Sequence, residues 1–304
     1  MEQATAGTLD VAVAVDIGGT TTRVALVQLA SAQARQWERV ATFPTEPGYT
    51  AQVARVAEAV HMATQLARRQ HAGKRPMGVG VSLGGRIAPD GSGVSVAPNL
   101  RDYEGRPFVQ KLSAACDEMP VRLAHDAVCG LLAERRFGAL QGDERCAYLT
   151  LSTGTGCATH VQSPGSAMGV TTSIELGHQL LDGNTRLCLC GQTGCLETYT
   201  GGRQLELRYG KPIEALPDHP LWDELVDKLS LGVVNLAHLT RIERVALGGA
   251  IALNRPGLLD ALRAAVASRL RGAQVEIGLA ELGESAPLIG AATLLMTPAD
   301  EIVS

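Results

Sequence analysis

The chain alternates between short apolar runs, typical of buried strands, and longer segments in which apolar residues recur every three or four positions, as on amphipathic helices. Apolar runs at 11–15 and 23–27 flank a glycine-rich turn at 16–20 and predict a β-hairpin. The same criteria predict further strands at 78–82, 121–124, 245–247 and 275–279, and helices at 50–70, 126–136, 221–239, 257–270 and 286–296. The order of these elements predicts an α/β protein.

A second hairpin pattern follows the first about 135 residues later along the chain. A strand at 147–152 leads into a Thr-Gly-Thr-Gly turn at 153–156, and a strand at 157–161 returns. Two such hairpins, one in each half, predict two related α/β domains that face each other. We expect an N-terminal domain over 1–120, joined by a C-terminal helix at 290–304, and a second domain over 121–289.

One imidazole and three thiols lie within eighteen residues, with the spacing H-x9-C-x-C-x4-C. They are His178, Cys188, Cys190 and Cys195. This is a complete ligand set for tetrahedral zinc, and four protein ligands indicate a structural metal instead of a catalytic one. The alternative is four unrelated residues in a loop. A metal here would fix the loop 175–197, which also carries Glu175 and Glu197.

Composition excludes several classes of protein. The net charge is −4 and no basic run occurs, so nucleic acid is not an expected partner. No stretch approaches the ~20 apolar residues of a membrane helix. The first eight residues lack the features of a signal peptide, and the four remaining cysteines lie in apolar contexts. These features predict a cytoplasmic protein with reduced thiols.

The two hairpin turns are candidate phosphate sites, because glycines in a tight turn leave backbone N–H groups open to phosphate oxygens. The first turn would contribute Gly18, Gly19 and the hydroxyls of Thr20, Thr21 and Thr22, and the second Thr153, Gly154, Thr155 and Gly156. Asp16, at the end of the first strand, could hold a hydrated Mg²⁺. One such turn alone is most often only a hairpin, but two from opposing domains would clamp a triphosphate. Gly248 and Gly249 are either a helix entrance or a flat surface for an adenine.

Asp126 follows a predicted strand and begins a predicted helix. One interpretation is a helix N-cap, for which Asp is a preferred residue. The other is a general base that accepts a hydroxyl proton during phosphoryl transfer.

The chain resembles the ROK family of sugar kinases, within the actin and hexokinase superfamily. The matching segments are Asp16-Ile-Gly-Gly-Thr20, Pro98-Asn99, His125-Asp126-Ala127, Ser152-Thr-Gly-Thr-Gly156, Glu175-Leu-Gly-His178, Cys188-Leu-Cys-Gly-Gln-Thr-Gly-Cys195-Leu-Glu197, Leu247-Gly-Gly249 and Leu288-Ile-Gly-Ala-Ala292. They span almost the whole chain in the family's order. The resemblance implies two actin-like (ribonuclease H-like) α/β domains facing across a cleft.

The resemblance also implies roles for individual residues. Asp126 is similar to the family's general base, and Glu175 and Glu197 to acceptors for sugar hydroxyls. His178 would bind zinc through one ring nitrogen and a sugar hydroxyl through the other. Asn99 and the backbone at Gly85 would complete the sugar pocket. Asp16 and the two turns would hold Mg²⁺ and phosphates, with Gly248 and Gly249 at the adenosine.

Two positions depart from the family pattern. The family usually has Asn before the catalytic Asp, where this chain has His125, and Gly84 stands where a Pro is usual. The first departure puts the identity of the sugar in doubt, because the usual Asn contacts a sugar hydroxyl.

The resemblance implies an ATP-dependent hexose kinase that uses Mg²⁺ and carries a structural zinc, with glucose as the first expected substrate. N-acetylmannosamine, N-acetylglucosamine, fructose and allose are the alternatives, and a sugar sensor without turnover is a third hypothesis. A homodimer or homotetramer is typical of the family. Because the first strand is predicted to begin at residue 11, we do not expect the winged helix of the family's repressors.

Overall fold

The computed structural model describes residues 11–29, 37–71 and 73–303. The chain divides into two compact units, each with its own apolar core. Unit 1 holds the described residues up to Phe137 together with Pro287–Thr297, and unit 2 holds Gly138–Ala286 together with Pro298–Val303. The expectation that no signal peptide is present concerns residues 1–8, which lie outside the described residues.

Unit 1 is built on a five-stranded sheet in the order β3-β2-β1-β4-β7. Its elements up to Phe137 are the strands β1 (Val11–Ile17), β2 (Thr21–Gln28), β3 (Trp37–Pro44), β4 (Val79–Leu83), β5 (Arg86–Ile87), β6 (Val94–Val96) and β7 (Val121–His125), and the helices α1 (Tyr49–Gln70), α2 (Phe108–Ala115) and α3 (Asp126–Phe137). Strands β1, β2 and β3 form an antiparallel meander, and β4 and β7 run parallel to β1. All seven residues of β1 are buried, as expected for a central strand covered on both faces.

Unit 2 repeats this topology in the order β12-β11-β8-β9-β10. Its elements are the strands β8 (Arg145–Leu151), β9 (Thr155–Val161), β10 (Val170–Ile174), β11 (Arg244–Gly248) and β12 (Glu276–Leu279), and the helices α4 (Glu197–Thr200), α5 (Gly202–Tyr209), α6 (Leu221–Thr240), α7 (Gly249–Asn254) and α8 (Leu258–Arg269). Again three antiparallel strands, β8 to β10, are followed by two strands parallel to the first. The predicted α/β fold with two related halves is confirmed.

The last described elements are α9 (Ala286–Thr293), two short 3₁₀ turns at Leu294–Met296 and Ala299–Glu301, and β13 (Ile302–Val303). Helix α9 packs closely in unit 1: a methyl group at Gly290 would overlap the Cys129 carbonyl group, and one at Gly80 would overlap that of Ala291. Strand β13 pairs with β10 in unit 2. The segment that returns to unit 1 is therefore Pro287–Thr297, shorter than the helix expected at 290–304, because Pro298 disfavours helical geometry in the residue before it.

The division between the units lies after Phe137, later than the boundary expected near residue 120. Strand β7 pairs with β4 from Val79↔Val121 to Leu83↔His125, and this pairing holds β7 and the following α3 in unit 1. Asp126 therefore belongs to unit 1. Among the helices of the described ranges, none is both long and apolar enough to cross a membrane.

Candidate active site and metal centre

Asp16 lies where three strands of the unit 1 sheet meet. In the strand registers it is opposite Arg23 on β2 and opposite Ser82 on β4. The Ser82 hydroxyl donates to Asp16 Oδ1 (2.7 Å), and the Arg23 guanidinium donates twice to Oδ2 (2.7 and 3.1 Å). Burial raises the pKa of the Asp16 carboxyl above its usual range, while Arg23 and Ser82 act in the opposite direction. Asp16 is therefore a rigidly held buried carboxyl paired with a cation.

Arg23 and Ser82 were not predicted as site residues. The sequence did contain a signal for Arg23. Asp16 lies two positions before the three-residue turn 18–20, and in the hairpin it pairs with Arg23, three positions after that turn. Ser82 could not be placed from the sequence, since its pairing with Asp16 depends on β4 lying next to β1 in the sheet.

Asp126 is the first residue of α3, at the carboxyl end of β7. Its Oδ1 accepts the N–H of the next residue, Ala127 (2.7 Å), and this bond orients the carboxylate. An N-cap side chain accepts instead from the second or third helical residue, so the N-cap interpretation stays a prediction. The second oxygen, Oδ2, is on the side of Gly84, where an added Cβ would lie 3.7 Å from it. Within the described part of the chain no donor is bonded to Oδ2. The bond from Ala127 thus leaves one carboxylate oxygen for chemistry.

His125 precedes Asp126 and orients its ring toward the same helix start. Its Nδ1 is 3.1 Å from the Ala127 nitrogen and 3.0 Å from Asp126 Oδ1. A neutral Nδ1 accepts the Ala127 N–H, whereas a protonated Nδ1 donates to Asp126. In both states Nδ1 is engaged within the protein, and Nε2 is the atom left for a ligand.

The turn between β1 and β2 is supported from beneath by hydroxyl and amide groups. Gln52, fully buried on α1, donates to the Thr22 hydroxyl (2.8 Å), which lies 2.9 Å from that of Thr45. The Thr45 hydroxyl donates to the Gly18 carbonyl (2.8 Å). Thr22 therefore supports the turn and faces away from solvent.

The outer part of this turn is open, since Gly19, Thr20 and Thr21 are exposed. Gly19 lies against Asn99, because a Cβ added at Gly19 would be 3.6 Å from the Cβ of Asn99. Gly85 has a φ of +124°, and a side chain there would come within 2.7 Å of the Val96 carbonyl oxygen. Glycine is required at that position by both conformation and space.

The corresponding turn of unit 2 is tied to Glu197. The Thr155 N–H donates to Glu197 Oε2 (2.7 Å), and the Thr155 hydroxyl is 2.7 Å from the hydroxyl of Thr200. A Cβ at Gly154 would lie 2.7 Å from the same Glu197 oxygen. Thr155 was predicted to contact a phosphate. In the structure its N–H and its hydroxyl are both bonded within the protein. Thr153, Gly154 and Gly156 remain the candidates for a ligand in this turn.

Glu175, His178 and Glu197 form an acid–imidazole cluster next to this turn. His178 Nε2 is 3.9 Å from Glu175 Oε2. Burial raises the pKa of the Glu197 carboxyl, while the Thr155 N–H, His178 and a hydrogen bond from Gln204 lower it. The cluster offers several acceptors within one small region, as recognition of a polyhydroxylated molecule requires.

The other ring nitrogen of His178 faces three thiols. The candidate ligand atoms of His178, Cys188, Cys190 and Cys195 all lie within 4.8 Å of one another. His178 Nδ1 is 3.9 Å from Cys188 Sγ, and Cys190 Sγ is 3.7 Å from Cys195 Sγ. A tetrahedron with Zn–S near 2.3 Å and Zn–N near 2.1 Å has edges of about 3.6–3.8 Å. The four residues therefore fit a zinc ion.

The surroundings of the thiols also suit a cation. Burial raises the pKa of Cys188 and Cys195, so thiolates at these positions need a positive partner. Gln204 Nε2 donates to Cys188 Sγ (3.2 Å), and Gln192 Nε2 donates to Cys195 Sγ (3.3 Å). Such outer contacts orient metal ligands. The sequence contained no signal for either glutamine.

Gly248 and Gly249 end β11 and begin α7. Gly249 has a φ of +83°, and a Cβ there would crowd the Thr150 hydroxyl. At Gly248 a Cβ would overlap the Tyr148 hydroxyl. The backbone therefore passes close to β8, and both interpretations made for the pair stay predictions.

The predicted site residues fall into two sets. Unit 1 carries Asp16, Gly18, Gly19, Thr20, Thr21, Gly85, Asn99, His125 and Asp126. Unit 2 carries Thr153, Gly154, Thr155, Gly156, Glu175, His178, Cys188, Cys190, Cys195, Glu197, Gly248 and Gly249.

The ROK family model matches residues 12–297, and the chain belongs to the ROK family. The chain is 27% identical to a glucokinase of Thermotoga maritima, over 93% of this chain and 96% of that protein. It is also 27% identical to a xylose repressor of Bacillus subtilis, over 72% of this chain and 61% of the repressor. The crystal structure of a ROK family glucokinase from Streptomyces griseus, in complex with glucose and AMPPNP, matches with a TM-score of 0.74 and 25% identity, over 94% and 98% of the two chains.

The solved relatives are ROK sugar kinases with the two-domain actin-like fold, and this chain has the same fold. The resemblance to this family drawn from the motifs is confirmed.

Proposed function

We propose that this protein is an ATP-dependent sugar kinase that transfers the γ-phosphate of ATP to the 6-hydroxyl of a hexose, with glucose as the first expected substrate. The observation that carries the proposal is the Asp126 carboxylate. One of its oxygens is fixed by the helix start, and the other has no donor from the described residues. A solved ROK relative binds glucose and an ATP analogue, which supports both substrate classes.

Asp126 acts as the general base in this proposal. As the sugar hydroxyl attacks the γ-phosphorus, its proton passes to Asp126 Oδ2 while the bond between phosphorus and the ADP oxygen breaks. Phosphoryl transfer needs mainly alignment, neutralised charge and an acceptor for this proton. The Ala127 N–H fixes the direction of the carboxylate, so the base is oriented before the substrate binds.

Asp16 fits a hydrated Mg²⁺ through water, and not through direct coordination. Oδ2 accepts two hydrogen bonds from Arg23, whereas Oδ1 accepts one from Ser82 and keeps a second lone pair for a water of hydration. When bound, Mg²⁺ neutralises charge on the phosphates of ATP. Gly18, Gly19 and the exposed Thr20 and Thr21 are the proposed phosphate contacts of unit 1.

The proposed sugar contacts are Asn99, the backbone at Gly85, and the side chains of Glu175, His178 and Glu197. His178 Nδ1 faces the thiols and Nε2 faces Glu175, as a histidine shared by a metal and a sugar hydroxyl requires. Zinc at the Cys/His site would then fix the orientation of a sugar contact.

Glucose is proposed on the relatives, and His125 is the reason to test other sugars. With Nδ1 engaged, His125 offers a ligand the single atom Nε2, whereas the family's usual Asn offers both a donor and an acceptor. N-acetylmannosamine, N-acetylglucosamine, fructose and allose stay as alternative substrates. A cytoplasmic location and a homodimer or homotetramer also stay predictions.

A sugar sensor without turnover is the second candidate function, because xylose repressors are among the relatives. The two candidates make opposite predictions in a coupled ADP-release assay. Mg·ATP would be tested with glucose, N-acetylmannosamine, N-acetylglucosamine, mannose, fructose and allose. Turnover on one sugar identifies a kinase and its substrate. Sugar binding by calorimetry with no ADP release on any of them contradicts the kinase and supports the sensor.

A further inference from the structure

A continuous series of hydrogen bonds connects helix α1 to the turn between β1 and β2 in unit 1. It begins at Gln52, whose side chain is fully buried on α1. Gln52 Nε2 donates to the Thr22 hydroxyl (2.8 Å), which lies 2.9 Å from the Thr45 hydroxyl. The Thr45 hydroxyl donates to the Gly18 carbonyl (2.8 Å). A buried amide on α1 is therefore linked, through two hydroxyl groups, to the backbone of a proposed phosphate turn.

The amide group of Gln52 sets the direction of the hydrogens in this series. Its Oε1 accepts the Glu46 N–H (2.9 Å), which places the donor atom Nε2 at Thr22. Nε2 cannot accept, so the single hydrogen of the Thr22 hydroxyl points to Thr45. The Thr45 hydroxyl accepts that hydrogen and gives its own to Gly18. With an apolar side chain at position 52 the two hydroxyls can bond in the reverse order, and the Gly18 carbonyl then loses its donor.

The Gly18 carbonyl matters because it shares a peptide plane with the Gly19 N–H. In a trans peptide the C=O and the N–H of one plane point in opposite directions. The bond from Thr45 holds the Gly18 carbonyl, so the Gly19 N–H points away from Thr45, and Gly19 itself is exposed. Within the ranges that the structure describes, no acceptor is bonded to the Gly19 N–H. This N–H is thus oriented and open to a ligand.

We propose that Gln52 is a positioning residue that acts through Thr22 and Thr45 to hold the Gly19 N–H in the orientation that binds a phosphate of the nucleotide. A donor that is already oriented binds more tightly than a mobile one, because less ordering is needed on binding. Gln52 itself is buried and does not contact the ligand. The phosphate as ligand rests on the proposed function, whereas the orientation of the Gly19 N–H by Gln52 does not.

The test begins with the NMR order parameter of the Gly19 N–H in nucleotide-free protein labelled with 15N-glycine. A rigid backbone amide has an order parameter of about 0.85, and a flexible one has a value below about 0.6. We expect about 0.85 in the wild type and a value below about 0.6 in Gln52→Met, which keeps the length of the side chain without its donor and acceptor.

The affinity for Mg·AMPPNP, measured by calorimetry, is the second readout. We expect Gln52→Met to weaken binding by about 5- to 10-fold, which corresponds to the loss of roughly one hydrogen bond.

Variants of Thr45 and Thr64 separate the hydrogen bonds from a general loosening of unit 1. Thr45→Val removes the hydroxyl that reaches the turn and should lower both readouts, whereas Thr45→Ser keeps the hydroxyl and should retain wild-type values. The matched control is Thr64→Val, because Thr64 is also buried on α1 and its hydroxyl donates to the Val60 carbonyl of the same helix (2.9 Å). We expect this control to leave the Gly19 order parameter unchanged and the affinity within about twofold of the wild type.

An unchanged Gly19 order parameter in Gln52→Met overturns the proposal. If that variant does not fold, an unchanged value in Thr45→Val overturns it instead, because Thr45 is the link to the turn. Equal losses in Thr45→Ser and Thr45→Val overturn it as well, since the hydroxyl would then not be the group that acts. A wild-type protein that does not bind Mg·AMPPNP would contradict the proposed function, and the order parameters would still decide whether Gln52 orients the amide.

Discussion

Replacing Arg23 with Met tests whether the ion pair beneath the first turn is what allows an ionised carboxyl to stay buried. In the pair Arg23 Nη2 lies 2.7 Å from Asp16 Oδ2, and the two side chains are 23% and 10% exposed. Methionine keeps much of the aliphatic volume but no charge and no donors. Removing one partner of a buried pair costs about 3–5 kcal/mol, because the other charge is left uncompensated.

Protonation of Asp16 limits this cost and makes it depend on pH. An aspartate in the unfolded chain has an ordinary pKa of 3.8, and each pH unit above it adds about 1.36 kcal/mol to the cost of neutralising the carboxyl. That cost is therefore at most about 5 kcal/mol at pH 7.5 and about 1.6 kcal/mol at pH 5.0. Burial already raises the pKa of Asp16 in the folded protein, which makes both values upper limits. We expect Arg23→Met to lose about 3 kcal/mol at pH 7.5 and about 1 kcal/mol at pH 5.0.

The sign of this pH dependence follows from the linkage between proton binding and folding. A carboxyl whose folded pKa is raised contributes stability that is complete below its unfolded pKa and is lost as the pH rises through the folded pKa. Arg23→Met raises the folded pKa of Asp16 further, so this loss continues over a wider pH range in the variant. The difference between the two proteins must therefore grow with increasing pH.

The chain offers a direct assay, because Trp37 lies in unit 1 and Trp222 in unit 2. In a Trp222→Phe background, fluorescence during urea denaturation reports the unfolding of unit 1. The matched control in unit 1 is Arg106→Met, whose ion pair with Asp102 has a similar length of 2.8 Å but is 48% and 47% exposed. We expect the control to lose about 0.5 kcal/mol or less at both pH values.

A loss of stability in Arg23→Met that is equal at pH 5.0 and pH 7.5 would refute the reasoning. A double-mutant cycle with Asp16→Asn then isolates the pair: with a neutral amide at position 16, the cost of Arg23→Met should fall below about 1 kcal/mol. An undiminished cost would show that Arg23 stabilises the protein through other contacts.

Four further substitutions test the sites and the packing individually. Asp126→Asn should lower kcat by about 10²- to 10⁴-fold while sugar binding by calorimetry persists, and near-normal turnover would show that another group accepts the proton. Cys195→Ser should lose zinc by elemental analysis, and a native protein purified without zinc would contradict the assignment of the metal. His125→Asn should change the ratio of kcat/KM between glucose and N-acetylmannosamine, whereas an unchanged ratio means that position 125 does not contact the sugar. Gly290→Ala should destabilise the protein by about 1–3 kcal/mol through overlap with α3, as measured by denaturation, while Gly278→Ala, with no atom within 4 Å, should have a small effect.

The local features of this protein could be predicted from its sequence. The candidate zinc ligands lie within eighteen residues, and the structure brings all four donor atoms within 4.8 Å of one another. The hairpins at β1–β2 and β8–β9 were also predicted, because a tight turn and its flanking strands depend on neighbouring residues. Both features are closed by short segments of chain, so residue type and spacing suffice to define them.

Features that depend on the order of strands in the sheet could not be predicted. The pairing of β4 with β1 brings Ser82 to Asp16, and the pairing of β7 with β4 moves the division between the units to Phe137. The predicted boundary near residue 120 followed a polar stretch, which marks a loop but does not show which sheet the next strand joins.

The sequence by itself determined the family, the repeated α/β organisation and the identity of most candidate site residues, because these are carried by motifs and by the period of the apolar positions. Only the tertiary structure decided which partners those residues have. It bonds Thr155 to Glu197 instead of leaving it open, pairs Asp16 with Arg23, and brings the Gln204 amide to the Cys188 sulfur. A hydrogen bond is set by distance and direction in space, and residues distant in sequence acquire both only when the chain has folded.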